Sequence, residues 1–250
     1  MDEFYRMLRE SGYCVVFTGA GISTLSGIPD FRGSNGVYSR KFQGFDVEDI
    51  LSIDLFLRRP DLYYSWAKPF IYELERYQPN VVHRVIARME ALGIVKMTYT
   101  QNIDLLHERA GTTRLGELHG SPAVHECLKC GKTFDYPEIA AIVGQGRVPV
   151  CPLCGGIVKP RIVFYGESLD SGLLDRAEAD LRRADLLLVL GSSLTVNPAA
   201  SLPRITLASG GNLVIVNRQS TPLDRYAVRR FDDLESVFQQ LERKLDGGNV

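Results

Sequence analysis

Four largely apolar runs constrain what this chain can fold into more than any other feature: Cys14-Val-Val-Phe17, Ile94-Val-Lys-Met-Thr-Tyr99, Leu186-Leu-Leu-Val-Leu190 and Leu213-Val-Ile-Val216. They lack the strict in/out alternation of a strand with one wet face, so both faces must be covered, and helical material separates each run from the next. That pattern predicts an α/β fold: a Rossmann-like parallel sheet covered by helices. Each run stops at small or polar residues, at Gly19, at Thr100-Gln-Asn102, at Gly191-Ser-Ser193 and at Asn217. In such sheets ligands lie outside the carboxyl ends of the strands, so these ends should meet in space.

The segments between the runs read as cover. Asn80 to Leu92 has a plausible N-cap in Asn80, apolar spacing at Val82, Val85, Ile86 and Met89, and a stop at Gly93; His83, one step from that stripe, reads as structural. Leu234 to Leu245 spaces Leu234, Val237, Phe238 and Leu241 on one face, and residues 246–250 read as a frayed tail. The stretch 34–78 differs in texture, with Phe42, Phe45, Phe56, Tyr63, Tyr64, Trp66, Phe70 and Tyr72 among scattered charges and breaks at Pro60 and Pro69. It reads as a helical insertion whose aromatics are either core or binding surface.

The first strand runs into Gly19-Ala-Gly-Ile-Ser23. A glycine-rich turn after a buried strand can bring backbone N–H groups against a pyrophosphate, although the third glycine of the usual dinucleotide fingerprint is replaced by Thr24. An ordinary tight turn at Gly19 and Gly21 stays open on this loop alone. Gly27-Ile-Pro-Asp-Phe-Arg-Gly33 comes next, and its proline and glycines exclude a helix interior while Asp30, Phe31 and Arg32 gather on one loop.

Four of the five cysteines form two pairs, Cys127-Leu-Lys-Cys130 and Cys151-Pro-Leu-Cys154, with twenty residues between them. This spacing is that of a zinc ribbon, with a redox dithiol as the competing reading. Four thiolates close the coordination shell of a tetrahedral ion, so one structural zinc is expected, and His125 reads as an ordinary polar residue on the approaching strand. Cys14 reads as an inert core residue.

With 29 basic and 30 acidic side chains the net charge is -1, which gives no footprint for nucleic acid or an anionic membrane. The mixed-charge N-terminus has neither the apolar core of a signal peptide nor the character of a transit peptide, and no run approaches the ~18 residues of a membrane span. A cytoplasmic protein, of uncertain oligomeric state and read as a monomer, is the expectation.

Taken together, Gly19-Ala-Gly-Ile-Ser23, Gly27-Ile-Pro-Asp-Phe-Arg32, Thr100-Gln-Asn-Ile-Asp104, Leu118-His-Gly120, the cysteine pairs, Val163-Phe-Tyr-Gly-Glu167, Gly191-Ser-Ser-Leu194, and Asn217 with Thr221 resemble the signature of the sirtuins, the NAD-dependent protein deacylases, in a bacterial or archaeal form. The resemblance implies that NAD and an acyl-lysine protein or peptide give nicotinamide, O-acyl-ADP-ribose and free lysine. It implies that His119 is the general base, that Asn102 orients the nicotinamide ribose, and that Asp104 and Asp30 hold the carboxamide. Gln101 approaches the same ribose, Phe31 and Arg32 belong to the cofactor loop, and Ala20, Ser23, Ser192 and Ser193 meet phosphate or ribose. Gly19, Gly21, Gly191, Asn217 and Asp233 complete the cofactor set. Val163, Phe164, Gly166, Glu167 and Val196 mark the two edges between which substrate is received as an added strand. Three positions depart from the commonest pattern, Tyr165 for Phe, Ser192 for Thr, and Leu25 for Glu, Ala or Pro.

The implied organisation is a Rossmann-like NAD-binding domain of residues 1–33, 79–121 and 159–250, a helical insertion and cofactor loop at 34–78, and a zinc module at 122–158. Family members that prefer acidic acyl groups carry a Tyr-x-x-Arg pair in the insertion; between Tyr63 and Phe70 this chain has no arginine, which implies neutral acyl groups. A mono-ADP-ribosyltransferase, and a binding protein that only senses NAD, remain open.

Overall fold

The structure is a computed structural model that describes residues 1–29, 36 and 41–247. After helix α1 (Asp2–Glu10), β1 (Cys14–Thr18) leads into a single 3-10 helix, Ala20–Ser26. The glycine loop therefore opens a tight 3-10 turn and not the α-helix start that a dinucleotide loop suggests. The insertion folds as α2 (Val47–Ile50), α3 (Ile53–Arg58) and α4 (Pro60–Ile71). Next come α5 (Val81–Ala91), β2 (Val95–Thr100), α6 (Leu106–Arg109) and β3 (Leu115–Glu117), then β4 (Gly120–Cys127), β5 (Thr133–Asp135), α7 (Tyr136–Gly144) and β6 (Val158–Ile162). The chain closes with α8 (Ser171–Arg183), β7 (Leu186–Leu190), α9 (Pro203–Ala208), β8 (Asn212–Val216), β9 (Arg229–Phe231) and α10 (Leu234–Gly247). Asp246 and Gly247, expected in a frayed tail, belong to that last helix.

Among the described residues the main sheet has six parallel strands in the order β3-β2-β1-β7-β8-β9. The four apolar runs are its centre. The two strands that the sequence did not announce, β3 and β9, are three residues long and lie at the edges, where one open side needs no continuous apolar run. Residues along β1 alternate between the two faces. Cys14 and Val16 pack with Phe4, Leu8, Val85, Ile86, Phe238 and Leu241 under α1, α5 and α10. Val15 and Phe17 pack with Leu181, Leu187 and Val189 on the side of α8. The strand order reverses between β1 and β7, which places the crevice of the sheet at the ends of those two strands.

A second sheet, β5-β4-β6, is antiparallel and carries the cysteines. Its α7 was not expected from the sequence, although Asp135 accepting from Glu138 N at 2.9 Å, a proline in the first turn and Ile139 and Val143 four apart are helix signals. This module shares one core with the insertion: Phe56, Tyr63, Tyr64, Trp66 and Tyr72 pack with Phe134, Ile139, Val143 and Phe164.

Three histidines are buried. His83 stands at the first turn of α5, where Asn80 caps the helix by accepting from Val82 N at 2.9 Å. His83 lies edge-on to His107, with ring centroids 5.0 Å apart. His107 Nε2 sits 3.0 Å from Thr18 Oγ1, which in turn donates to Thr100 Oγ1 at 2.8 Å. His125 is not the ordinary polar strand residue expected but is fully enclosed, with Nε2 2.9 Å from Tyr72 Oη, because the insertion covers that face of β4.

Burial holds His83 at about 3, His107 at about 4 and His125 at about 3, each below the usual 6.5. An unfolded chain takes up these protons as pH falls through 6.5, while the folded chain does not. The stability they contribute is therefore complete above the unfolded value and is lost towards the folded one, at ~1.4 kcal/mol per pH unit per histidine. Two carboxyls act with the opposite sign: buried Asp104 is raised by its enclosure, and half-buried Glu117 is raised by partial burial and by Glu108 to about 7. Replacing one histidine isolates its share. Between about pH 6 and about pH 4.5, unfolding free energies from denaturant titrations should fall less steeply for His107→Gln than for the parent, by ~1.4 kcal/mol per pH unit. Equal slopes would contradict the assignment.

Candidate functional site

The ends of β1 and β7 are joined backbone to backbone. Gly19 N donates to Leu190 O at 3.0 Å and Gly21 N to Gly191 O at 2.8 Å. A Cβ on Gly19 would meet Gly191 O at 2.8 Å, one on Gly21 would meet Gly191 Cα at 2.8 Å, and one on Gly191 would meet Ile22 N at 2.4 Å. Only glycines permit this approach. It also means that the N–H groups of Gly19 and Gly21, expected to be bare towards a pyrophosphate, are bonded inside the protein.

A cleft of about 790 Å³ opens beyond this seam. Its wall includes Gly19, Ala20, Gly21, Gln101, Asn102, His119, Gly191, Ser192, Ser193, Asn217 and Asp233, together with Val163, Phe164, Gly166, Glu167 and Val196. A chamber of about 40 Å³ adjoins it, with Ala20 and Asn102 on the shared wall, and Ser23 and Asp104 inside. Every cofactor and substrate residue expected from the sequence that lies among the described residues thus borders one of these two cavities. Asp30, Phe31 and Arg32 lie outside the described residues.

Within the chamber Ser23 Oγ donates to Asp104 Oδ2 at 2.5 Å and accepts from Asn102 Nδ2 at 3.2 Å, while Asn102 Nδ2 also reaches Gly19 O at 3.2 Å. Asp104 Oδ1 accepts from Leu106 N at 2.9 Å. Asp104 therefore serves the first turn of α6 and faces the chamber at once, whereas Asn102 is not the cap of that helix. Burial is the largest influence on the Asp104 carboxyl and raises its pKa against the opposing bonds from Ser23 and Leu106.

His119 is held where the two sheets meet. Its Nδ1 lies 2.8 Å from Gln101 O, and its own carbonyl accepts from Val163 N at 2.8 Å. A carbonyl accepts only, so Nδ1 carries the proton and Nε2 is the basic nitrogen. Burial lowers the imidazole pKa, opposed by the bond to Gln101, and favours the neutral, proton-accepting ring. The next residue has to be glycine: Gly120 has φ +73°, and a Cβ there would meet Arg161 O at 2.1 Å. Gln101 Nε2 donates to Ser192 Oγ at 2.8 Å, and Arg230 braces the far end of the cleft by donating to Asn217 O at 3.1 Å and Gln219 O at 3.2 Å.

The segment 163–167, expected as one edge for an added substrate strand, follows directly on β6. It is a loop closed on itself by Phe164 N to Glu167 Oε2 at 2.8 Å and Glu167 N to Phe164 O at 2.9 Å. Tyr165 is paired with the insertion through Leu51 O and Ile53 N. Trp66 and Ile71 of α4 line the cleft as well as the core, which sequence could not apportion for an aromatic-rich helix.

The sulfurs of Cys127, Cys130, Cys151 and Cys154 lie within 4.8 Å of one another, with Cys127–Cys154 at 3.5 Å and Cys130–Cys151 at 3.6 Å. A tetrahedron with Zn–S of about 2.3 Å has edges near 3.8 Å, so the four thiolates suit one zinc ion with its shell closed.

The model of the Sir2 family matches residues 19–198, which contain the glycine loop, His119, the cysteine pairs and the β7 loop. This chain belongs to the Sir2 family. A relative from Thermotoga maritima, named NAD-dependent protein deacetylase, is 43% identical over 250 residues, which is 100% of this chain and 99% of that one. NAD-dependent protein deacylase 2 of Archaeoglobus fulgidus is 42% identical over 219 residues, 87% of this chain and 85% of the relative. Among solved structures, a Sir2 protein with a deacetylated p53 peptide and 3'-O-acetyl ADP ribose superposes with TM-score 0.90 at 40% identity, covering 100% of this chain and 99% of the other. One with a p53 peptide and NAD+ gives 0.88 at 40% identity, covering 99% and 98%.

In this Sir2 protein the metal module and the insertion, whose Trp66 and Ile71 line the cleft, have a common core, so loss of the ion should be felt at α4. Apparent zinc binding energies of ~10–16 kcal/mol in small modules are comparable to the whole stability of a typical domain. Trp66 is the sole tryptophan and reports on α4 directly. Chelation should unfold residues 124–158, lower Tm and shift Trp66 emission to the red. Unchanged emission and melting after verified zinc removal would contradict the shared core.

Proposed function

We propose that this protein is an NAD-dependent protein-lysine deacylase, consuming NAD, an acyl-lysine chain and one water to yield nicotinamide, O-acyl-ADP-ribose and free lysine. The observation that carries the reading is His119, neutral and aimed by Gln101 O, on the wall of a cleft whose small side chamber holds the Ser23, Asn102 and Asp104 network. The relatives' names and the peptide- and NAD-bound structures of Sir2 proteins support it. When bound, NAD supplies a ribose carbon from which nicotinamide can be displaced by the acyl oxygen.

In this reading Asp104 and Ser23 hold the amide end of the co-substrate, and Asn102 orients its ribose. His119 Nε2 takes a proton from a ribose hydroxyl, a step whose positioning is worth ~10²–10⁴ in rate. The seam of Gly19, Gly21 and Gly191 lets backbone and the Ser192 and Ser193 hydroxyls approach phosphate and ribose. Asn217 and Asp233 meet the adenosine side, and Asp30, Phe31 and Arg32 complete the cofactor loop. The acyl-lysine enters between the 163–167 loop and Val196. The nucleotide-binding domain at 1–33, 79–121 and 159–250 is assigned the chemistry, the insertion at 34–78 the acyl wall, and the module at 122–158 the support of that wall. A four-thiol metal site suits a reducing compartment such as the cytoplasm. No helix among the described residues is long and apolar enough to cross a membrane.

The acyl wall is apolar. Trp66, Ile71, Ile103 and Phe164 line the cleft, Ala67 is fully buried, and the one cation of α4, Lys68, donates to Gly144 O at 2.8 Å. A carboxylate lodged there without a partner is strongly disfavoured. On one peptide, acetyl- and butyryl-lysine should exceed succinyl-lysine in kcat/KM by at least about tenfold. A succinyl preference would show the wall misread.

The function itself is tested by incubating the protein with NAD and an acetylated peptide and identifying products by mass. Deacetylated peptide, nicotinamide and O-acetyl-ADP-ribose in equal amounts are expected, with His119→Ala losing ~10²–10⁴ in kcat while NAD binding persists. ADP-ribose attached to protein with the peptide still acetylated would establish a transferase. NAD binding without either product would establish a sensor.

A further inference from the structure

Lys159 lies on β6 and is 6% exposed, an unusual place for an ammonium. A charge there is tolerable only if its donors are all engaged. Its Nζ donates to Ile162 O at 2.7 Å, to Pro160 O at 3.3 Å and to Glu167 Oε2 at 2.9 Å, and stands 4.2 Å from the centre of the Phe164 ring. An ammonium has three protons, and here three oxygens receive them. Burial lowers its pKa, while Glu167 and then Glu126 act to keep it charged.

These contacts converge on one loop. Glu167 Oε2 accepts from Lys159 and also from Phe164 N at 2.8 Å, so a single carboxylate oxygen joins the ammonium to the loop backbone. Ile162 O is the last carbonyl of β6, immediately before Val163. The ammonium thus grips the loop at its root through Ile162, at its middle through the Phe164 ring, and at its end through Glu167. Lys159 borders neither cavity, whereas Val163, Phe164, Gly166 and Glu167 all line the cleft.

We propose that Lys159 is a positioning residue for the acyl-peptide, its buried ammonium fixing residues 163–167 in their receiving shape before substrate arrives. The proposal rests on the deacylase reading for the identity of the occupant, but the order of the loop is independent of it. With Lys159→Met the loop loses its central tie, so a peptide has to order the loop as it binds. The penalty falls on peptide affinity and not on the co-substrate side of the cleft, which none of these bonds touches.

Two measurements test this. Amide hydrogen exchange on the protein without ligands should show Phe164 and Glu167 exchanging at least about tenfold faster in Lys159→Met, with β1 and β7 unchanged. In steady state, acetyl-peptide KM should rise about tenfold or more, with kcat within about twofold and NAD KM unchanged, and Lys159→Arg should recover most of the peptide KM. Unaltered loop exchange would overturn the proposal whatever the enzyme's activity. So would a loss borne by kcat or by NAD KM, and an arginine variant as impaired as the methionine one would show that the charge is not what matters. Absence of turnover in the parent protein would instead sink the deacylase reading, leaving the exchange result to judge Lys159.

Discussion

Two backbone hydrogen bonds, Gly19 N to Leu190 O and Gly21 N to Gly191 O, set the frame of the whole cleft. They continue the ladder between β1 and β7 past the end of the sheet, so the two loops that diverge at the switch point leave it from a fixed origin. A side chain at any of the three glycines would force the loops apart, because what it would strike is backbone. The polar wall around it is referred to this seam. Ser23 lies on the 3-10 turn that starts from it, Ser192 comes directly after Gly191, and Gln101 and Asn102 reach across from β2 to Ser192 and to Gly19 O.

The opposite wall has another origin. Its position is set by the shared core of the insertion and the metal module, through polar ties between rings and backbone such as Tyr64 Oη to Val158 O at 2.6 Å and Leu74 N to Tyr136 Oη at 3.1 Å. The walls meet at His119. The residue is bonded through its ring to the Gln101 carbonyl and through its own carbonyl to Val163 N, so this histidine is registered against both sides of the cleft.

The centre of the sheet was legible because four runs buried on both faces have to be apolar throughout, and the cysteine spacing because a tetrahedral ion dictates it. The candidate site residues were proposed through a family resemblance, and those among the described residues border two adjoining cavities. What escaped was set by tertiary surroundings. β3 and β9 are too short and too polar to show a period. His125 is an ordinary strand residue until the insertion covers it. Tyr63 and Trp66 belong to one aromatic-rich helix, yet only the tryptophan also reaches the cleft. Lys159 precedes a proline in a strand and gives no sign in sequence that its charge is enclosed.

The strand order has a consequence for how the chain is made. β1 is translated first, and its neighbour β2 emerges about 80 residues later. Its other neighbour, β7, begins only at Leu186, after the insertion and the metal module are complete. Through most of synthesis one edge of Cys14–Thr18, fully apolar apart from its last residue, therefore lacks its partner, and an open apolar edge is a template for pairing with another chain. The nascent protein depends on whatever shields that edge until the ribosome has delivered β7, about three-quarters of the way along the sequence, and only then can the seam between Gly19 and Gly191 close.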